Sequence, residues 1–150
     1  MAVQSRRDIT NIPFIKSGTS YVRNGDIAQN AQRTEDLLPN TVMAQIAATR
    51  LWVPLTQLDQ VDGSSVPRGI YLGDTIDAAD IAAGNVEDVA ILIGGCCTVD
   101  QQDIVWDQDI LTQYSVVNPG TIEARTAMKA LAETTGIFIE DTEDISHFEN

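Results

Sequence analysis

Apolar residues in this chain come in short runs, separated by turn-forming Gly, Pro, Asn and Asp. Residues 41–47 (TVMAQIA) and 51–58 (LWVPLTQL) are rich in β-branched and aromatic side chains and predict two strands. Pro54 lacks a backbone N–H, so it puts the second at an edge or a bend. Asp62-Gly63 predicts a turn. Residues 69–72 (GIYL) predict the next strand, ending at Gly73, and residues 75–83 (TIDAADIAA) predict one or two helical turns stopped by Gly84. Residues 89–93 (VAILI) form an uninterrupted apolar run, the pattern of a strand buried on both faces. Gly94 and Gly95 are expected to break it, leaving residues 96–99 to pair onward. A short apolar interlude follows at residues 103–106, among carboxylates.

One helical period stands out near the end. Thr121 is placed to cap it, Glu123 suits its N-terminal dipole, and Ala124, Met128 and Leu131 fall on one face. Gly136 suits the C′ position. Ile137, Phe138 and Ile139 then predict a closing strand, and residues 140–150 an acidic tail. The predicted class is mainly β with one substantial helix (α+β), without internal repeats.

Charge divides the chain. Residues 1–34 carry five cations (Arg6, Arg7, Lys16, Arg23, Arg33) against two anions (Asp8, Asp26), a net of +3. Residues 35–150 carry four cations (Arg50, Arg68, Arg125, Lys129) against twenty carboxylates, a net of −16. The first segment lacks a sustained apolar period and is punctuated at Pro13, Gly18 and Gly25. It therefore predicts an extended arm over residues 1–39, mobile in the free protein, before a β-rich domain at 40–140 and a tail at 141–150. The candidate anchors in that arm are Ile12, Pro13, Phe14, Ile15, Tyr21, Val22 and Arg23. The acidic body repels nucleic acid and anionic membranes, so neither is expected as a partner.

Other classes find little support. No stretch approaches the roughly 20 apolar residues of a membrane helix, and no apolar segment behind Arg6 and Arg7 suggests a secretory signal. Adjacent Cys96 and Cys97 read as two reduced thiols, with side chains on opposite faces of a strand. The single histidine, His147, sits in the tail, away from any Ser/His/Asp or Cys/His pattern. No dinucleotide fingerprint, P-loop or Cys-x-x-Cys set is present. Asp100, Asp103, Asp107 and Asp109 invite a calcium reading but lack the EF-hand loop pattern, so a solvated acidic loop is expected. The chain is thus expected to have no catalytic, cofactor or metal site and not to be an enzyme.

The order of segments resembles the head decoration (cement) proteins of tailed bacteriophages, the family of the lambda head decoration protein. The matching features are the strand from Thr41, the Asp62-Gly63 turn, VPRGIYLGDTIDA (66–78), VAILIGG (89–95), the late helix at 121–135 and the closing GIFI (136–139). The resemblance covers roughly residues 40–139. It implies a small β-tulip or β-clip-like body that forms homotrimers, with N-terminal arms reaching the major capsid protein. It also implies a place on the outer surface of the virion at three-fold and quasi-three-fold positions, after synthesis in the bacterial host cytoplasm. A β-rich adhesin binding sugar or a host protein is the main alternative. A trimeric dUTPase-like enzyme is the other, although its glycine-rich signature loops are missing.

Overall fold

The computed structural model describes residues 15–56, 60–107 and 122–140. Six strands and two helices follow in the order β1 (Ile15–Ile27), β2 (Val42–Gln45), β3 (Trp52–Pro54), β4 (Pro67–Tyr71), α1 (Ala78–Ala83), β5 (Val86–Asp100), α2 (Ile122–Thr135) and β6 (Ile137–Glu140). The protein is mostly β with one substantial helix, as the pattern predicts. The sheet order is β1-β3-β2-β4-β5-β6, and β1 also pairs with β5. Strands β1, β3, β2, β4 and β5 therefore close into a ring, and β6 extends β5 beyond it. Closure removes most of the open edges that a flat sheet of this size would expose.

β5 organises the whole. Its Ala90 and Leu92 enter a core shared with Val42 and Ala44 of β2, Ile70 of β4 and Leu131 of α2. The intervening Val89 and Ile91 enter a second core with Ile27, Met43, Trp52 and Tyr71. Alternate side chains thus fill opposite faces, which is why this run contains no polar position. The expected break at Gly94 and Gly95 is a bulge instead. Tyr21 pairs with Gly94 while Val22 pairs with Leu92, leaving Ile93 as the extra residue on β5. Gly95, at φ +110°, absorbs the irregularity where a Cβ would collide with the Thr19 carbonyl. Past the bulge the parity inverts: Cys97 and Val99 now join the first core.

Trp52 fills the second core from β3. Its ring lies against Gly25 of β1 and Gly69 of β4, where added Cβ atoms would stand 2.6 Å from Nε1 and 3.2 Å from Cζ3. A side chain reaching strands this far apart in sheet order requires the curvature that the closed ring supplies. β3 is shorter than the pattern predicts: it ends at Pro54, and of the rest of that run Leu55 is buried while residues 57–59 lie outside the described residues.

The principal correction concerns the N-terminal segment. Residues 15–27, expected to form a mobile arm, are a full strand of the ring, and β1 pairs with β5 from Ile15↔Val99 to Ile27↔Val86. Ile27 is completely buried, as is Leu37 beyond it, so the expected boundary between residues 39 and 40 falls inside the folded body. The physical reason is that β1 needs only Ile15, Val22 and Ile27 on core faces, because β5 provides the apolar surface. The first fourteen residues of the expected arm lie outside the described residues, as does the tail at 141–150.

The helices form largely where expected. α1 stops at Gly84, and its first turn is capped from elsewhere: Ala78 N donates to Asp36 Oδ1 at 2.9 Å. In α2, Ala127 and Leu131 are buried and Met128 packs against the same core. Gly136, at φ +79°, takes the predicted C′ position and its N donates to the Ala132 carbonyl at 2.9 Å. The proposed cap Thr121 and the side chains of Glu123 and Ala124 lie outside the described residues.

The acidic segment after β5 is also different from expectation. Asp100 and Asp107 are buried, and Ile104 and Trp106 belong to the core. Asp107 forms an ion pair with Arg33, and Asp100 Oδ1 accepts from Gln102 N at 3.0 Å. Asp103 alone of the described carboxylates here is exposed, and Asp109 lies outside the described residues. The segment folds back because Val42 N donates to the Val105 carbonyl and Val105 N to the Asn40 carbonyl. It is a clasp on the body, held in part by the side chains of Asp100 and Asp107.

Candidate functional site

Beyond the Trp52 end of the ring, β1, β5 and β6 continue as a three-stranded extension. Paired residues on neighbouring strands share a face. Gly18↔Cys97 and Thr98↔Phe138 fix the alternation, so Cys97, Val99, Ile137 and Ile139 face the core under α2. The opposite face carries Thr19 and Tyr21 of β1, Cys96 and Thr98 of β5, and Phe138 of β6. Tyr21 is 64% exposed and Phe138 41% exposed, the two exposed aromatic rings among the described residues.

This face is open and extended, and its exposed charged positions include Arg23 of β1 and Glu140 of β6. Among the described residues its Thr19, Cys96 and Thr98 side chains are small, so the two rings are its largest apolar features. Arg23 lies two residues beyond Tyr21, on the same side of β1, and is exposed.

The expected anchors separate accordingly. Ile15 and Val22 pack against the core, so they are structural side chains of β1 and unavailable to a partner. Tyr21 and Arg23 are exposed on the folded body. Ile12, Pro13 and Phe14 lie outside the described residues. Phe138 was not anticipated as a contact residue. Its signal was present, since in the IFI triplet the middle residue must face away from the side that buries the outer two.

The cysteines divide as predicted: Cys96 is exposed, Cys97 is buried, and both are free. Burial pushes the Cys97 thiol above its ordinary value, and the neighbouring Cys96 adds like-charge repulsion against its ionisation. Among the described residues no group of three or more His, Cys, Asp or Glu side chains is arranged to hold a metal ion. No helix among the described residues is long and apolar enough to cross a membrane.

Comparison with models of known protein families and with curated protein sequences finds no match to this chain.

Proposed function

We propose that the chain is a structural capsid decoration protein. It binds the outside of the expanded head of a tailed bacteriophage as homotrimers at three-fold and quasi-three-fold positions, and it stabilises the shell against the pressure of packaged DNA. Its partner is the major capsid protein, and it performs no chemical step. The observation that carries this reading is the open face of β1, β5 and β6, with exposed Tyr21 and Phe138 beside the small side chains of Thr19, Cys96 and Thr98.

The energetics suit a multivalent rivet. Aromatic anchors commonly dominate an interface, and burying each ring yields about 1.5–3 kcal/mol. A single body held by two rings binds weakly. Three bodies joined in a trimer bind tightly, because the second and third contacts form at high effective concentration. A three-fold trimer also meets equivalent surfaces at a three-fold shell position. Binding only the expanded shell then adds the binding free energy to that shell's stability. In this reading Ile12, Pro13 and Phe14, which precede β1 in sequence, contribute further contacts to the shell.

The test is co-sedimentation with expanded shells built from the cognate major capsid protein. The wild-type protein is expected to pellet with the shells at saturation, and Tyr21→Ala with Phe138→Ala to reduce binding by about ten-fold or more. Full binding by the doubly substituted, folded protein would contradict the assignment of the face. Failure of the wild-type protein to pellet would contradict the function.

A further inference from the structure

A cleft of about 500 Å³ opens beside Trp52, bordered by Arg23 of β1, Arg50 of the β2–β3 turn and Arg68 of β4. Three of the nine Lys and Arg residues in a chain of net charge −13 therefore converge on one opening. Asp26 is the one carboxylate among the described residues of its lining, and its Oδ1 already accepts from Asp88 N at 3.0 Å. All three arginines are exposed, and among the described residues none of their guanidinium groups forms an ion pair. Two other described cations do: Arg33 binds Asp107 and Lys129 meets Glu133. Three arginines that gather in one cleft without an ion pair among the described residues, in a chain of net charge −13, call for an explanation.

The local backbone places them deliberately. Arg50 sits at φ +63° in its turn, held by Arg50 N donating to the Ile46 carbonyl at 2.8 Å and by Gln45 Nε2 donating to the Arg50 carbonyl at 2.9 Å. Arg68 stands where β4 shifts register against β2, between the Gly69↔Met43 and Pro67↔Ala44 pairs. The remaining border includes Asn24 and Gln45, whose side-chain amides each donate one N–H within the fold, to Asp88 Oδ1 and the Arg50 carbonyl, and Thr134 and Thr135, whose hydroxyls donate to backbone carbonyls.

We propose that this cleft binds a compact polyvalent oxyanion, of the size and charge of pyrophosphate. Three planar guanidinium forks match oxygen-rich anions with paired, charge-assisted hydrogen bonds. The ligand is compact because the surrounding field is negative: a long polyanion would be repelled over most of its length, whereas a small one lies wholly within the positive opening. A phosphate-bearing group and a polycarboxylate share this chemistry. The cleft borders the open face, since Arg23 lies on the same side of β1 as Tyr21, and its ligand is therefore tested on the free chain in the absence of shells.

The test is titration of the full chain with sodium pyrophosphate at low ionic strength, followed by calorimetry and by the arginine Nε–Hε signals in NMR. Saturable binding is expected, with shifts at Arg23, Arg50 and Arg68 and none at Arg33. Each of Arg23→Gln, Arg50→Gln and Arg68→Gln should weaken binding by about ten-fold, while Lys129→Gln should leave it unchanged. Arg50→Lys, which keeps the charge and loses the fork, should fall between wild type and Arg50→Gln and guards against a turn disturbed by the larger change. Citrate distinguishes the sources: tighter pyrophosphate binding assigns a phosphate ligand, and tighter citrate binding a polycarboxylate. Absence of saturable binding to both, retention of binding in the folded triple Gln variant, or tighter binding of heparin than of pyrophosphate would overturn the proposal.

Discussion

Arg33 Nη1 donates to Asp107 Oδ2 at 2.6 Å, with the two side chains only 7% and 2% exposed. Arg33 also donates through Nε to the Glu35 carbonyl at 2.6 Å and through Nη2 to the Asp36 carbonyl at 3.2 Å. One guanidinium thus ties the connection after β1 to the clasp that follows β5. Removing one partner leaves the other charge buried without its mate. Arg33→Ala is expected to cost about 3–5 kcal/mol in urea denaturation, and Arg33→Met with Asp107→Leu appreciably less. Equal losses in the single and double variants would show that the ion pair is not the source of the effect.

β1 is part of the fold, so truncation separates two regions sharply. A chain starting at Ile15 keeps every described strand and should melt cooperatively. A chain starting at Glu35 lacks the strand that closes the ring and should show no cooperative transition by circular dichroism. Amide exchange should protect the β1 pairs from Val22 to Gly25 as strongly as their β5 partners.

Trp52 makes a second, independent test of packing. Gly69→Ala drives a methyl group against Ile91 Cγ2 and the Leu92 carbonyl, both 2.8 Å from the added carbon. The expected destabilisation is about 1–3 kcal/mol, the usual result of overfilling a packed core. Gly84→Ala is the control: nothing lies within 4 Å of its added carbon. Its backbone at φ 176° is extended and open to any residue, so its thermal midpoint should stay near that of wild type.

The thiols should behave unequally. Cys96 is expected to react with an alkylating reagent in the native protein, and Cys97 only after unfolding. The raised Cys97 pKa also sets a sign for stability. A thiol that ionises later in the folded state favours folding below the unfolded value and loses that contribution as pH rises through the folded one. Stability should therefore fall on the alkaline side, above the ordinary thiol value of 9.0, and Cys97→Ala should flatten that fall.

Much of the body was legible because its elements carry local signals. The alternating and continuous apolar runs located β2, β4 and β5, and Gly84 and Gly136 marked the ends of both helices. β1 was illegible for a physical reason. Its open-face positions are Thr, Tyr and Arg, and its core contributions at Ile15, Val22 and Ile27 are too widely spaced to reveal a period. Its pairing with β5 is entirely non-local. Gly94 and Gly95 misled because the same residues serve both strand ends and bulges, and only the partner strand distinguishes them. The arginine cleft had no sequence signal at all, since Arg23, Arg50 and Arg68 meet only through the closure of the ring.

The proposed docking of the open β1–β5–β6 face on a capsid shell is tested most directly by cryo-electron microscopy of expanded heads saturated with the full-length chain. Three-fold density is expected on the outer surface, with β1, β5 and β6 against the shell and the Tyr21 and Phe138 rings enclosed at the contact. Density attached through α2, with Tyr21 and Phe138 open to solvent, would contradict the docking face, and bare three-fold positions would contradict the function itself.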